Sequence, residues 1–376
     1  MGQATCAVAA RCIKEEMDPA RFFELAGRLM RCPAAPGHET AVRTAAEQIC
    51  AEHSLPFTHD PFGNLLVGLQ TDPRPRPLAL AAHLDHPGFE MLRQLSPNLW
   101  LARFLGGVPD CFFRRGLPLR LMPGATAATL GRRCGQGKQF EIRTTNSDFP
   151  SPEFAVWELE DCAVRREHIF GRSCDDLIGV ASVLATLIEL QGTRSRVNVI
   201  GVISRAEEVG FHGALTVAAS RRLPKNSLVI SLETSRELPP VKMGQGVVIR
   251  VGDRTSIFDS EATRFLSEVA DGLSAKQKSF QWQRALMSGG TCEATAYQEF
   301  GFQTAAVCIA LGNYHNCGEG GQIAAEFVSM ADACGMVRLL VEAARQTRSY
   351  SKLVGRLPHR LVKLLKTAQE SLRAPV

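Results

Sequence analysis

Four short, unbroken apolar runs constrain this chain more than any other feature: LALAAH, VNVIGVIS, SLVISLE and AAVCIAL. Runs of this length without polar alternation read as strands buried on both faces. Segments of helical period separate them, among them CDDLIGVASVLATLIELQG, HGALTVAAS, SEATRFLSEVADGL and FVSMADACGMVRLLVEAARQ. Strands alternating with helices predict an α/β fold, a doubly wound and mostly parallel sheet with helices on both faces. Two further helices are expected before it, in ARFFELAGRLM and GHETAVRTAAEQICAEH, with a break from Pro33 to Gly37. Between about Met91 and Ile169 the texture changes to short β-like pieces separated by Gly and Pro, such as LPLRLMPG and QFEIRTT. This predicts a small all-β insertion. The expected organisation is a discontinuous catalytic domain over 1–89 and 169–376, interrupted by an inserted β domain at 90–168.

The 376 residues suffice for one large domain and one smaller one. A formal charge of +5 is too small and too dispersed to predict a nucleic-acid partner. The longest apolar runs are too short to span a bilayer, so no membrane partner is expected. The N-terminal stretch has no continuous apolar core of a secretory signal, and Cys6 stands where a Met1-Gly2 myristoylation start calls for Ser or Thr. Twelve scattered cysteines without Cys-x-x-Cys spacing read as free thiols in a cytoplasmic protein. The basic, partly amphipathic segment SKLVGRLPHRLVKLLKTAQESLR is expected as a helix on the protein's own surface or on a sister subunit, with a membrane-surface helix as the alternative.

Acidic and histidine side chains recur where these elements end. His83 ends LALAA, Glu207 and Glu208 follow VNVIGVIS, Glu233 ends SLVISL, and His315 follows AAVCIAL. Open sheets bind ligands at the carboxyl ends of their parallel strands, so these residues are expected at one edge. Asp175 precedes a helix and joins them. Ser173 and Asp176 resemble a capping box, whose acids would simply favour a helix N-terminus. Two imidazoles and three carboxylates suit two divalent ions of the zinc, cobalt or manganese kind. A carboxylate shared between two ions holds them about 3.5–4 Å apart, and bound water then ionises near pH ~7. A carboxylate outside the ligand set must take that water's proton and deliver it to the leaving amine. Adjacent glutamates can divide these duties only beyond the regular strand, because neighbours within a strand face opposite ways. Asp85, two residues after His83, is a natural partner for that ring's second N–H.

Taken together, AHLDHPGF, SCDDLIGV, RAEEVGFHGA, GGTCEATAYQEFG and LGNYHN resemble the motifs of the M42 di-zinc aminopeptidases, relatives of the M20 and M28 peptidases. The resemblance runs from about Met17 to Arg345, and the β insertion falls between His83 and Asp175 as in M42. It implies His83, Asp175, Glu208, Glu233 and His315 as ligands of two metal ions, with Asp175 bridging. It implies Glu207 as general acid/base, and Asp85 of the His-x-Asp segment as a further catalytic-site residue beside His83. It also implies a peptide substrate, release of N-terminal residues, and self-assembly into a homo-oligomer. Departures from the pattern are Glu233 in place of the more usual Asp, His86-Pro87, and Cys292-Glu293 in place of Asp-Ala. Cys174, Cys292 and Cys317 lie beside the site and offer a thiolate alternative. Two rival functions remain: a metal-dependent deacylase or carboxypeptidase, and a non-catalytic metal-binding assembly protein.

Overall fold

A computed structural model of the chain describes residues 17–135, 137–145, 150–193 and 195–372. The readings made on Met1, Gly2 and Cys6 lie outside the described residues. The chain enters through α1 (Pro19–Met30) and α2 (Thr40–Glu52). Asp18 caps α1 by accepting from the Ala20 N–H, and Pro19 occupies the first turn, where a missing N–H costs nothing.

Strands β1 (Phe57–His59), β2 (Leu65–Gln70) and β3 (Leu78–His83) come next. Six strands then close a barrel: β4 (Gly88–Ser96), β5 (Leu99–Leu105), β6 (Pro118–Met122), β7 (Thr126–Cys134), β8 (Gln139–Thr144) and β9 (Phe154–Trp157). After it follow β10 (Ala163–Arg165), β11 (His168–Gly171), α3 (Cys174–Gly192), β12 (Asn198–Ser204), α4 (His212–Ala219) and β13 (Leu228–Arg236). The chain continues through β14 (Val247–Gly252), α5 (Ser260–Lys276), β15 (Trp282–Leu286), α6 (Glu293–Glu299), β16 (Gln303–Gly312) and β17 (Glu326–Ser329). It ends in α7 (Met330–Gln346), α8 (Tyr350–Val354) and α9 (Arg356–Ser371).

The large sheet runs β1-β2-β12-β3-β13-β16-β17-β11-β10, with β14 and β15 attached beside β16. Its centre, β12-β3-β13-β16, is parallel, and the strands flanking it along this order pair antiparallel; β14 is antiparallel to β16 and parallel to β15. The predicted α/β architecture is therefore present, with helices on both faces and a separate antiparallel barrel. Strand periodicity sorts the core. Leu78, Leu80 and Ala82 of β3 join Leu228, Ile230 and Leu232 of β13 in the larger cluster, with α1, α3, α5 and α7. Ala79, Ala81 and Val229 face the other way, into the cluster that holds α4 and α6 residues. The barrel has its own aromatic core, in which Phe89 stacks edge-on with Phe104, Phe140 and Trp157. The barrel strands extend from Gly88 to Trp157; β10, which falls within the 90–168 expected for the insertion, pairs with β11 in the large sheet.

The basic C-terminal segment is helical, as α9, and only its first turn meets the protein's own surface, where Arg356 pairs with Glu268 and Leu357 lines a groove with Val251 and Trp282. None of its residues is buried, and Leu361, Val362, Leu364 and Leu365 are all more than half exposed.

The turn after β12 packs tightly beneath α4. A Cβ added at Gly213 would stand 2.4 Å from the Arg205 backbone nitrogen and 2.5 Å from Asn64 Oδ1. Backbone cannot yield as a flexible side chain can, so Gly213→Ala should destabilise by about 1–3 kcal/mol. Chemical denaturation should show it as a lower midpoint, and an unchanged midpoint would disprove the tight packing.

Candidate metal centre

Parallel registry builds the site. Ser204 at the end of β12 pairs with His83 at the end of β3, so Glu207 and Glu208 emerge just beyond the same sheet edge. As the sequence demanded, both lie outside the strand. Ala206 and Phe211 adopt positive φ here, and the Gly213 N–H closes the turn onto the Arg205 carbonyl. Buried Glu39 pins it from below, accepting from the Ala206 N–H and pairing with Arg205.

Glu233 departs from expectation in detail. It does not end its strand, because β13 runs on to Arg236 against β16. The β3–β13 pairing, however, stops at Ser231, so Glu233 lies where the two strands part. His315 sits at positive φ in the tight turn after β16.

These groups converge on Asp175. Its Oδ1 lies 3.7 Å from His83 Nε2 and its Oδ2 lies 3.6 Å from His315 Nε2. Glu208 approaches His315 Nε2 at 3.1 Å. Two sets of ligand atoms result, each within 4.8 Å: His83, Asp175 and Glu233, then Asp175, Glu208 and His315. Glu207 is in neither set, though its Oε2 is 3.9 Å from His83 Nε2. A cavity of about 240 Å³ opens over them, lined also by Arg236, Leu238, Met287, Thr291 and Tyr314.

The electrostatics are those of a site short of positive charge. Burial and the neighbouring Glu233 and Glu208 carboxylates push Glu207 well above the usual carboxylate range, although His83 opposes them. Burial raises Glu233 to about 8. Burial disfavours a charged His83, but Glu207, Asp175 and Asp85 outweigh it and hold the proton. The same contest, with Glu208 and Asp175, raises His315. Asp175 Oδ1 and Glu233 Oε1 are buried without a hydrogen-bond partner. Orphaned carboxylate oxygens beside imidazole nitrogens fit borderline divalent cations.

Sequence expectations fared unevenly around this centre. Asp85 does not chiefly hold the His83 ring: His83 Nδ1 is 3.1 Å from the Asp85 backbone carbonyl and 3.5 Å from its carboxylate. That carboxylate instead accepts the backbone N–H groups of Glu207 and Glu208, at 2.9 and 3.0 Å. The capping box is absent. Ser173 makes no capping bond, Asp175 is extended, and both Asp176 oxygens are buried and unpartnered. The cysteines beside the site are held as thiols, since burial raises Cys174, Cys292 and Cys317, and among the described residues neither ligand set contains one.

Three contributors went unread. Glu326 accepts the backbone N–H of Asp175 at 3.0 Å and of His315 at 2.8 Å, fixing two site residues with one carboxylate. Gly107, in the loop after β5, places its carbonyl 3.1 Å from His315 Nδ1, the usual outer contact of a metal-bound imidazole. Tyr314 stacks on His315 at 3.8 Å, with the Arg236 guanidinium 5.2 Å from the tyrosine ring centre. The only sequence signal for Glu326 was its place at the head of a strand eleven residues after His315.

Residues 151–327 match the family model of M42 glutamyl aminopeptidases. That segment carries Asp175, Glu207, Glu208, Glu233 and His315, so the resemblance to the M42 family read from the motifs holds, and the chain is a peptide hydrolase. Among solved structures it is similar to the TET aminopeptidase of a marine sediment Thaumarchaeota archaeon, at 19% identity over 88% of this chain and 99% of that one, with a TM-score of 0.74. It is similar to the TET1 peptidase of Pyrococcus horikoshii, at 20% identity, 86% and 99% coverage and a TM-score of 0.70. A Thermotoga maritima protein named an endoglucanase also shares the fold, at 16% identity, 88% and 99% coverage and a TM-score of 0.65. No curated protein sequence matches the chain.

The raised groups give a pH prediction. Glu233 binds its proton more tightly folded, near 8, than unfolded, near 4.5, and Glu293 is raised by burial to about 7. His83 and His315 are raised likewise. Each contributes stability below its unfolded pKa that is lost as pH climbs through the folded one. Chelator-treated protein should therefore melt roughly 5 °C lower at pH 8.5 than at pH 5.5. Zinc should remove most of that loss. A melting temperature rising with pH in chelator would contradict this account of the site.

Proposed function

We propose that the chain is a di-metal aminopeptidase that releases N-terminal residues from peptides. The observation that carries this reading is the position of Asp175, one oxygen toward each histidine, with Glu207 left outside both sets. His83, Asp175 and Glu233 would hold one divalent cation, and Asp175, Glu208 and His315 the other. Zinc suits this mixed nitrogen and oxygen set, with cobalt and manganese as alternatives. When bound, such ions supply Lewis acidity and ionise water near neutral pH.

The protein's own groups supply the rest. Glu207 accepts a proton from the attacking water and returns it to the leaving amine. Its backbone, held by Asp85, fixes where that carboxylate stands. The cavity wall selects the substrate. Arg236 is exposed there, and among the described residues it has no acidic partner, whereas Arg250 is buried beside Glu233 and donates to Ser235 Oγ. An acidic first side chain would meet Arg236 over the Tyr314 ring. The glutamyl description of the matched family supports the same preference.

Arg236 also keeps one rival alive, since it could receive the main-chain carboxylate of an N-acyl amino acid or a peptide C-terminus in a deacylase or carboxypeptidase. Turnover of unblocked glutamyl amides, abolished when the α-amine is acylated, separates the two. We further infer a cytoplasmic homo-oligomer. The absence of disulfide bonds among the described cysteines and the shell-forming archaeal TET1 peptidase support this. Among the described residues no helix is long and apolar enough to cross a membrane.

Glu207→Gln should lower kcat by about 10²–10⁴-fold while metal content stays near the wild-type value. Retained activity would refute the proton-transfer role, and lost metal would make Glu207 a ligand. Arg236→Ala should reduce kcat/KM for glutamyl amide by roughly tenfold or more, and for alanyl amide little. Equal losses on both would remove Arg236 from substrate selection.

A further inference from the structure

Helix α9 is out of keeping with the rest of the molecule. Its 16 residues form a rod about 24 Å long that leaves the body after α8. Isolated helices of this length are marginal in water, and an amphipathic helix normally takes its stability from what covers its apolar face. Here, beyond half-buried Leu357, that face is largely exposed. Leu357, Leu361, Leu364, Leu365, Ala368 and Leu372 recur at helical spacing, and Leu361, Leu364, Leu365 and Leu372 are 54–82% exposed. The opposite flank carries Arg356, Arg360, Lys363 and Lys366, against one acid, Glu370. Arg356 pairs with Glu268, but among the described residues Arg360, Lys363 and Lys366 have no acidic partner.

The surroundings discriminate among occupants. Leu357 lines an apolar groove with Val251, Ile257, Phe258 and Trp282, and Ile257 is 67% exposed. Arg264 and Arg284 also line that groove, so the basic helix of a second copy would meet like charge. Bare leucines beside unpaired cations are instead complementary to the interface of an anionic bilayer. There, apolar side chains enter the acyl boundary while lysine and arginine extend to the headgroups. At 16 residues the helix is too short to span.

We propose that α9 is an interfacial helix that holds this protein on anionic lipid surfaces. This takes up the membrane-surface alternative for the segment in place of the expectation of no membrane partner, and it is independent of the peptidase reading because α9 lies outside the cavity.

The test is co-sedimentation of the full chain with vesicles of phosphatidylcholine, alone or mixed with phosphatidylserine. The chain should pellet with the mixed vesicles at low salt, be released at high salt, and stay in solution with phosphatidylcholine alone. Charge reversal in Arg360→Glu/Lys363→Glu/Lys366→Glu should weaken binding by at least about tenfold. Leu361→Ser/Leu365→Ser should also abolish pelleting, with wild-type circular dichroism and thermal melting confirming that both variants remain folded. Failure of the wild type to pellet with phosphatidylserine vesicles overturns the proposal. So does undiminished pelleting of both variants. A fall in molar mass of the leucine variant by light scattering, with wild-type pelleting equal on both vesicle types, also overturns it and assigns the face to a second copy.

Discussion

The structure depends on gathering buried negative charge at one sheet edge. Asp85, Asp175, Asp176, Glu207, Glu233, Glu293 and Glu326 are all buried there or just beneath. Unpaired charge in a low-dielectric interior is costly, and like charges multiply the cost. The fold answers in two ways. Asp85 and Glu326 are satisfied by backbone N–H groups, and so act as fixed anchors. Asp175 and Glu233 keep oxygens without hydrogen-bond partners. The first group rigidifies the second, and that preorganisation is what a cation site needs.

Each anchor also ties separate parts of the chain together. Asp85, just after β3, holds the turn after β12. Glu326, on β17, joins the start of α3 to the turn after β16. The barrel takes part through Gly107, whose carbonyl faces His315, so the insertion is coupled to the catalytic edge. Its approach is enforced sterically. Gly106 has φ +116, and a Cβ there would stand 2.7 Å from Pro87. The unusual His86 fits the same frame, lying 2.7 Å from the Asp175 carbonyl and 2.9 Å from Asn316 Oδ1. A sequence departure thus becomes a support for the central aspartate. Cys292-Glu293 is different in kind: the Cys292 N–H bonds Asp253, while the Glu293 carboxylate receives the Ser204 hydroxyl below the sheet edge.

Much of this was legible in the residues themselves. Continuous apolar runs required strands buried on both sides, and their alternation with helices required a layered α/β fold. Placing His83, Glu207, Glu208 and His315 after strands put them at one edge, because parallel strands end together. The Glu-Glu pair even announced its own turn, since two adjacent carboxylates cannot share a strand face.

Tertiary structure alone decided the rest. Where β3 and β13 part, and hence how Glu233 reaches the site from within a strand, depends on pairing registry that no local pattern encodes. Asp85 serves the turn as well as the histidine because its nearest donors come from residues more than a hundred positions away. The roles of Glu326 and the Gly107 carbonyl are long-range for the same reason. The tail shows the converse: amphipathic periodicity made α9 a helix, but only the packed body reveals that it leaves the apolar face uncovered. Local sequence fixes element type and chemical identity through short-range backbone and side-chain preferences. Which groups meet, and which remain unpaired, is settled only when distant segments pack.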